Sequence, residues 1–367
     1  MITRDLPSFF DHVRTLGSDF GPATARAAFL VAPDGFARAE QSAGDNRYMA
    51  QAAAFDPGRA SAQHRDLHRA LSLSLPTICF AGDPDTPDAL FPNNVFATGR
   101  GDAAVGAQPR YVIGRMRHPV RQREAGREDI RAFFREVLGY PEVDLSTQPH
   151  ACELTGALVI DRARGLGFAG LSERCDEQGA RLMHRALGLR ATLMFELAPG
   201  EYHTNVVLAV LAGRAALVCP GGFADPAVAE AIAGFYAPNG IVLSAAEHAA
   251  FVANSIALST YGLWMSAAAG RALSEPTRAA LARAGFAVST VELDAIEAGG
   301  GSLRCCVGEI FEGPIASAAA VATCDRGPAG LNGGWDEAEK FRSDSPQRFE
   351  NACTLQLRHI IVPLGSS

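Results

Sequence analysis

Short apolar runs recur along this chain, and stretches with helical spacing separate them. Runs of this length that end at Gly, Pro, Asn or Asp predict buried strands. We expect strands at 27–31, 77–81, 157–161, 206–211, 215–219, 286–291 and 303–310. We expect helices at 58–75, 129–138, 177–187, 224–235 and 276–284. Because strands and helices alternate throughout, the predicted fold class is α/β. Units of two strands and a helix recur at irregular spacing, which would suit a propeller of small α/β blades, although residue identities alone do not demonstrate a repeat.

The charge of the chain argues against nucleic acid or an anionic membrane as its main partner, since the formal net charge is -7 at pH 7. With 48% hydrophobic and 20% charged residues, the composition is that of a globular protein with a buried core. The densest basic stretch, Arg115–Arg127, also contains Glu124. Mixed charge of this kind predicts a solvated loop that leads into a helix.

The cysteines and histidines give little indication of a metal site. Eight cysteines include no Cys-x-x-Cys pair, so neither a zinc ribbon nor a thioredoxin-type motif is expected. His64 and His68 have the spacing of metal ligands, but no third ligand accompanies them, and a solvated helix face is the better interpretation. The first residues lack the apolar core of a signal peptide, and Gly213 and Arg214 interrupt the apolar stretch 206–218. We therefore expect reduced thiols and a cytoplasmic location.

The sharpest local feature is a run of three glycines, Gly299–Gly301, followed closely by Cys305 and Cys306. Glycines allow the backbone to approach a ligand and to adopt positive φ. A thiol just beyond such a loop is well placed to attack a bound substrate, provided that a histidine or a cation helps it to ionise. Arg304 is adjacent, but alternation along the predicted strand would point it to the other face. The alternative is a buried cysteine pair in a core strand, which is common for free cysteine.

Two further polar residues come just before predicted strands. His203 lies in the loop 200–205, from which it could reach a site, or it could be a surface or capping histidine. Glu153 could orient a histidine and stabilise its imidazolium form, or it could be a solvated turn residue. The turn that contains Asp88 and Asn94 could bind a polar planar group, and simple turn chemistry is the alternative.

Five motifs follow one another in a suggestive order. They are Phe91-Pro92-Asn93-Asn94, Glu153-Leu154-Thr155-Gly156, Leu171-Ser172-Glu173-Arg174, Tyr202-His203-Thr204-Asn205 and Gly299-Gly300-Gly301-Ser302-Leu303-Arg304-Cys305. Together they resemble the guanidino-group-modifying enzyme superfamily, which includes arginine deiminases, dimethylarginine dimethylaminohydrolases and amidinotransferases. Within it, the arginine-deiminase-related branch that includes citrulline hydrolases has similar patterns. The resemblance covers roughly residues 25–312.

The resemblance implies a five-bladed pseudosymmetric α/β propeller of ββαβ units, with the site in its central channel. It implies that Cys305 is the nucleophile and that Cys306 is structural. It also implies that His203 is the general acid and base, that Glu153 is its carboxylate partner, and that Arg174 holds the α-carboxylate of the substrate.

Substrate binding is expected from Asp88, Asn94 and Asn205 in addition to Arg174. Several relatives hold the guanidinium with two aspartates at the places where this chain has Asn94 and Asn205. Losing two anions removes charge-assisted hydrogen bonds, each roughly twice as strong as a neutral one. This departure slightly favours a neutral ureido group, such as that of citrulline, over a guanidinium held mainly by Asp88 and Glu153.

The predicted activity is cysteine-dependent hydrolysis of a C–N bond in a guanidino or ureido small molecule, without a metal or an organic cofactor. Amidino transfer to an amine and a non-catalytic binding protein on the same scaffold are the alternatives, and the intact Cys305, His203 and Glu153 count against the second. Residues 1–312 are the expected catalytic domain, with 313–367 as a C-terminal extension packed on it. The expected partner is a small-molecule substrate, not nucleic acid or a membrane, and a homodimer is left open.

Overall fold

The structure is a computed structural model that describes residues 1–52, 54–101 and 108–315. The described residues form an α/β fold, as the sequence predicts. Its strands are β1 (Ile2–Thr3), β2 (Ala27–Val31), β3 (Thr77–Phe80), β4 (Phe96–Gly99), β5 (Arg110–Ile113), β6 (Glu142–Asp144), β7 (Leu158–Asp161), β8 (Leu166–Leu171), β9 (Ala191–Glu196), β10 (Leu208–Leu211), β11 (Ala215–Val218), β12 (Gly240–Val242), β13 (Ile256–Ala257), β14 (Gly262–Ser266), β15 (Ala287–Val291) and β16 (Gly308–Ile310). The part of the predicted C-terminal extension from residue 316 onward lies outside the described residues, so the domain division stays a prediction.

Helices connect and precede these strands. They are α1 (Leu6–Val13), α2 (Glu40–Ala43), α3 (Arg47–Ala50), α4 (Pro57–Ser72), α5 (Pro119–Gln122), α6 (Glu128–Ala132), α7 (Leu154–Ala157), α8 (Glu177–Ala186), α9 (Thr204–Val207), α10 (Pro226–Phe235), α11 (Ala245–Ala249), α12 (Ala267–Ala272), α13 (Glu275–Arg283), α14 (Asp294–Glu297) and α15 (Leu303–Cys306). Asp56, Asp176 and Asp225 cap α4, α8 and α10 by accepting backbone N–H groups of the first turn. Proline directly follows the cap of α4 and α10, where its missing N–H costs nothing.

The described strands form five mixed sheets with one shared pattern. In each sheet an antiparallel pair is extended by a third strand parallel to the second, and the chain between these last two strands contains at least one helix. The sheet of β16, β2 and β3 has the same pattern, although its antiparallel strand β16 comes more than 200 residues after β3 along the chain. The far end of the described chain therefore completes the sheet that the first part begins.

The first strand of each antiparallel pair follows a turn that carries polar residues. A 3₁₀ turn, Pro92–Asn94, precedes β4, while α7, α9 and α15 precede β7, β10 and β16. The 3₁₀ turn contacts both α7 and α15, and α7 contacts α9. Four turns that are distant in sequence are thereby gathered in one place, and these turns hold the residues singled out by the motifs.

One predicted strand is wrong in its first half. Residues 303–306 form the helical turn α15, and only Gly308–Ile310 is a strand. A short buried helical turn and a buried strand give the same apolar run, so the sequence does not separate them. The turn is held from outside, because the backbone N–H of Arg304 donates to the carbonyl of Asn254 at 3.2 Å.

The interpretation of His64 and His68 as a solvated helix face is also wrong for His64, which is 2% exposed on α4. His68 is half-buried and contacts the Thr77 carbonyl. Among residues 1–52, 54–101 and 108–315, no group of three or more His, Cys, Asp or Glu side chains is arranged to hold a metal ion. In that same part of the chain, no helix combines the length and the apolar character needed to cross a membrane.

Candidate active site

The three glycines before Cys305 are required by close packing. Gly300 has φ 78°, and a Cβ atom there would lie 2.2 Å from the Asn46 amide nitrogen. A Cβ at Gly301 would lie 3.0 Å from the ring of Phe91. Larger residues would push this loop away from its neighbours, so the glycines fix where α15 starts and hence where Cys305 lies.

The Cys305 thiol is buried among side-chain amides. Its Sγ atom is 3.5 Å from Nδ2 of Asn205 and 3.3 Å from Nδ2 of Asn254, and the residue is 1% exposed. Burial raises the pKa of the Cys305 thiol, and the two amide contacts only partly oppose this shift. The thiol is therefore neutral at rest, and its ionisation depends on a base or a cation that comes close to it.

His203 and Glu153 form a fully buried histidine–carboxylate pair. Nε2 of His203 is 2.8 Å from Oε2 of Glu153, and both side chains are 0% exposed. The other carboxylate oxygen accepts the backbone N–H of Arg117 at 2.9 Å, and a guanidinium nitrogen of Arg174 is 3.6 Å from Oε2. Every oxygen of Glu153 is thus engaged, which orients the carboxylate.

The charges of this pair follow from its surroundings. Burial opposes ionisation of Glu153, but Arg174 and the hydrogen bond from His203 outweigh it and hold the pKa of Glu153 well below its usual range. Burial lowers the pKa of His203, and the contact with Glu153 offsets this only in part. His203 is therefore neutral at neutral pH, and since an ionised Glu153 can only accept, the ring proton is assigned to Nε2.

This assignment leaves the second ring nitrogen of His203 as a base. Nδ1 is buried, and no hydrogen-bond partner for it exists among the described residues. A Cβ atom at Gly156 would lie 2.8 Å from this nitrogen and 2.6 Å from Oδ1 of Asn94. The free nitrogen and the Asn94 amide therefore meet at the backbone of Gly156.

A narrow cavity joins the remaining predicted residues. Cys305, Asp88, Asn94 and Arg174 all line it, together with Tyr202, whose ring packs on the ring of His203 with a centroid separation of 4.6 Å. Asn205 reaches the site through its contact with the Cys305 sulfur. The structure therefore brings all seven predicted residues to one place. The roles assigned to them by resemblance stay predictions.

Three buried acceptor atoms in or beside this cavity have no hydrogen-bond donor among the described residues. In addition to His203 Nδ1, Oδ1 of Asp88 and Oδ1 of Asn94 are buried without a hydrogen-bond partner in the described part of the chain. The other oxygen of Asp88 accepts from Ser42 Oγ at 2.6 Å. Burial raises the pKa of Asp88, and Arg121 opposes this shift. Unpaired buried acceptors are costly, so the arrangement suits a ligand rich in N–H groups.

Residues 40–50, which include α2 and α3, cover the cavity; we call them the covering segment. In this segment, Oδ1 of Asp45 lies 2.5 Å from Nη2 of Arg174, and Oδ2 of Asp45 lies 2.9 Å from Nε2 of His118. The Asn46 amide donates to the carbonyl of Gly300 at 3.2 Å. The segment is thus attached both to the predicted carboxylate-binding arginine and to the glycine loop before Cys305.

The sequence model of the family "N,N dimethylarginine dimethylhydrolase, eukaryotic" matches residues 32–312, which is most of the chain. The chain belongs to this family.

A sequence relative agrees with this dimethylarginine dimethylaminohydrolase family. The N(G),N(G)-dimethylarginine dimethylaminohydrolase of Mycobacterium tuberculosis (strain ATCC 25618 / H37Rv) is 31% identical over 199 residues, which cover 54% of this chain and 61% of that relative. The match therefore spans less than two thirds of the relative's length.

The solved structures share the fold. The N-terminal domain of ArgZ, a cyanobacterial arginine dihydrolase, superposes with a TM-score of 0.65 at 20% identity and covers 78% of this chain and 98% of that one. Unliganded AgrE gives a TM-score of 0.65 at 21% identity, over 80% of this chain and 40% of that one. A dimethylarginine dimethylaminohydrolase adduct with S-methyl-L-thiocitrulline gives 0.58 at 18% identity, over 78% of this chain and 100% of that one.

In this member of the dimethylarginine dimethylaminohydrolase family, one sequence interpretation needs correction. The stretch Arg115–Arg127 is not simply a solvated loop, because Arg121 and Glu124 are each 2% exposed. Two guanidinium nitrogens of Arg121 donate to the two Glu124 oxygens at 2.8 and 2.9 Å, so each charge neutralises the other inside the protein. Their spacing of three residues on a helical turn is the signal that could have indicated the pair.

Sequence reasoning also missed the covering segment and Asn254. The segment contains no motif, and its contacts run to residues more than 120 positions away, such as Arg174 and Gly300. Asn254 could have been noticed, because it is a polar residue just before β13, as Asn94 is before β4.

The close approach at Gly156 leads to a testable expectation. In Gly156→Ala the new methyl group would overlap both the His203 ring and the Asn94 amide, and displacing a catalytic group by about 1 Å can cost roughly 10²-fold in rate. We expect kcat/KM to fall about 100-fold while the folded structure persists by circular dichroism. Gly126→Ala is the matched control, since a Cβ at Gly126 meets nothing within 4 Å among the described residues. Equal activity of the two variants would contradict the packing described here.

Proposed function

We propose that this protein hydrolyses a C–N bond in the guanidino group of an arginine-like small molecule through a covalent intermediate on Cys305. The observation that carries the proposal is the neutral His203, whose free Nδ1 lies beside Asn94 while its Nε2 is held by Glu153 at 2.8 Å. Nucleophilic catalysis uses a base that is oriented by a carboxylate and lies near a thiol, which is the arrangement proposed for this cavity. Membership of the family supports the same chemistry.

The proposed reaction begins with ionisation of Cys305. A guanidinium cation beside the sulfur favours the thiolate and offsets the rise in pKa caused by burial. The thiolate attacks the planar guanidinium carbon and forms a C–S bond, which gives a tetrahedral adduct. His203 takes up the thiol proton as Cys305 ionises and passes it to the departing nitrogen. The C–N bond then breaks, and the nitrogen leaves as ammonia or an amine because it cannot leave as an amide anion.

The second half of the reaction returns the enzyme to its resting state. His203 removes a proton from water, and the resulting hydroxide attacks the carbon. The C–S bond breaks, the thiolate takes up the proton held by His203, and the ureido product is released after it loses its surplus proton to solvent. Glu153 stabilises the imidazolium form of His203 in both halves, and acid–base help of this kind contributes about 10²–10⁴-fold in rate.

The unpaired acceptors favour a guanidinium over a ureido group. Oδ1 of Asp88, Oδ1 of Asn94 and Nδ1 of His203 each require a donor, and a guanidinium offers only donors. A ureido oxygen would add a further acceptor to this set. We therefore place the guanidino substrate first and keep citrulline as the second candidate, in contrast to the slight preference for a ureido group indicated by Asn94 and Asn205 alone.

We further propose that the five sheets are the blades of a propeller around a central channel. Contacts of β16 with β4, of β7 with β10, and of β10 with β13 support a circular order of the first strands. A cytoplasmic location and a homodimer stay predictions of the sequence.

A substrate panel tests the proposed function. Arginine, methylated arginines, agmatine and citrulline are incubated with the full chain, and ammonia, methylamines, citrulline and ornithine are measured with and without an added acceptor amine. We expect an amine or ammonia and a ureido product from at least one guanidino compound without an acceptor. Turnover only with the acceptor amine would replace hydrolysis by amidino transfer, and turnover of citrulline alone would restore the ureido interpretation.

The proposed carboxylate-binding role of Arg174 has a specific consequence. In Arg174→Ala we expect KM for arginine-type substrates to rise about 10–100-fold, because a charge-assisted hydrogen bond is worth roughly 1.5–3 kcal/mol. KM for agmatine, which has no carboxylate, should change much less. A decrease in kcat for both compounds is expected as well, since Arg174 also lies 3.6 Å from Glu153. Equal changes in the two KM values would show that Arg174 serves Glu153 and Asp45 and not the substrate.

A further inference from the structure

Asn254 lies against the Cys305 sulfur although it belongs to no motif of the sequence. It is in the loop between α11 and β13 and is 0% exposed. Its backbone carbonyl accepts the N–H of Arg304, and its side-chain Oδ1 accepts the N–H of Cys305 at 3.4 Å. One residue thus holds both the backbone and the sulfur of the turn that carries the thiol.

The orientation of the Asn254 amide is fixed by its partners. Nδ2 donates to the backbone carbonyl of Asn205 at 3.0 Å, while Oδ1 faces the N–H of Cys305. A flipped amide would place a donor against a donor and an acceptor against an acceptor. The nitrogen is therefore the atom that lies 3.3 Å from the sulfur.

The arginines around Cys305 already pair with carboxylates. Arg304 pairs with Glu309 at 2.7 Å, Arg174 pairs with Asp45, and Arg121 pairs with Glu124. The charged and titratable side chains on the turn that carries Cys305, or in the lining of the cavity beside it, are those of Arg304, Cys306, Asp88, Arg121, Arg174 and Tyr202. In the described part of the chain, the side-chain donors within hydrogen-bond distance of the sulfur are the amides of Asn205 and Asn254.

The hydrogen bond from Asn254 strengthens when the sulfur ionises. Nδ2 has two hydrogens but three acceptors within reach, namely the carbonyl of Asn205, Oδ1 of Asn205 at 3.3 Å and the sulfur. A neutral thiol is a weak acceptor, whereas hydrogen bonds to an ionised group are roughly twice as strong as neutral ones. The competition therefore shifts toward the sulfur when it carries charge, which stabilises the thiolate more than the thiol.

We propose that Asn254 is a thiolate-stabilising residue of the active site, whose amide works with that of Asn205 in the place where other proteins put a cationic side chain beside a reactive cysteine. The proposal rests on the proposed function, in which Cys305 is the nucleophile. It assigns to the loop before β13 a part in the reaction that neither the motifs nor the resemblance indicated.

The thiolate titration of Cys305 tests this proposal. Ultraviolet thiolate absorbance is measured against pH in the full chain and in Cys305→Ala, and the difference isolates Cys305. The same comparison, with Cys305 present and with Cys305→Ala, is made in Asn254→Ala and in Asn254→Leu. Leucine has the same branched arrangement of heavy atoms as asparagine but no hydrogen-bond donor. We expect the midpoint to rise by about one pH unit in both Asn254 variants, so that kcat/KM below the midpoint falls about tenfold.

Controls separate the possible outcomes. Asn239→Ala removes a side-chain amide whose partner among the described residues is the Arg214 carbonyl, and its midpoint should equal that of the unchanged protein. A purely structural role for Asn254 would lower the unfolding temperature of both variants without moving the midpoint, and that result would overturn the proposal. If Cys305→Ala keeps full turnover, the proposed function fails instead, whatever the midpoints are.

Discussion

Replacing Cys305 with alanine is expected to abolish turnover, whereas replacing its neighbour Cys306 leaves turnover largely intact. The two thiols are adjacent and equally buried, but their surroundings differ. The sulfur of Cys305 contacts two side-chain amides and lines the cavity, while that of Cys306 contacts the Ser302 carbonyl and is absent from the cavity wall. Without a nucleophile no covalent intermediate forms, so we expect a loss of at least about 10⁴-fold in kcat.

Steady-state kinetics and unfolding curves of both variants check this prediction. Cys306→Ala removes a buried sulfur, and we expect its cost to appear in stability at about 1 kcal/mol and not in kcat. Equal loss of activity in the two variants, with both still folded, would show that the nucleophile has been assigned wrongly. Cys219→Ala is a further control, since that buried thiol lies in the large core cluster of the protein.

Replacing Glu153 with glutamine is expected to reduce kcat about 10²–10⁴-fold, and the shape of the side chain changes little. The carboxylate raises the pKa of His203, against the effect of burial. Its removal therefore lowers the pKa of His203 further, and the acid limb of the pH–rate profile should move to lower pH while the plateau falls. The plateau falls because the imidazolium form, which the departing amine needs, has lost its counter-charge.

Glu173→Gln is the matched control for this change. That carboxylate is also near Arg174 in sequence, but its side chain is 69% exposed and pairs with Arg117 at the surface. We expect its pH–rate profile to coincide with that of the unchanged protein. If Glu153→Gln lost activity without moving the acid limb, the carboxylate would be holding Arg174 in place and not tuning His203.

Much of the fold could be predicted because strands and helices carry local signals. The boundaries of β2 at 27–31 agree with the apolar run, and α8 and α10 agree within two residues because aspartates cap them. The helical turn at 303–306 could not be predicted in this way. Asn254, about fifty residues earlier, accepts the Arg304 N–H in this turn, and such long-range contacts leave no periodic trace in the sequence.

The candidate site shows the same division between local and distant information. Glu153, His203 and Cys305 could be singled out because each belongs to a recognisable motif just before a strand. The burial of Arg121 with Glu124 was missed, since their spacing of three residues can indicate a pair but does not show whether that pair lies inside the protein. Residues 40–50 were missed for a similar reason, because their role depends on contacts with distant parts of the chain.

The contact between Asp45 and Arg174 affects how a substrate would enter. If Arg174 holds the α-carboxylate, that group competes with the Asp45 carboxylate, which pairs with Nε and Nη2 of Arg174. The covering segment would then open as the substrate binds. This view explains why the cavity beside Cys305 is narrow although the chemistry requires room for a substrate.

The most direct test of the account is acid quenching of the enzyme during turnover of a guanidino substrate, followed by mass spectrometry of the intact protein and of its peptides. We predict an added mass on the peptide that contains Cys305 and Cys306, located on Cys305 by fragmentation and absent in Cys305→Ala. Turnover without any adduct, in a quench faster than the rate of product release, would contradict a covalent route through this thiol, as would an adduct on Cys306.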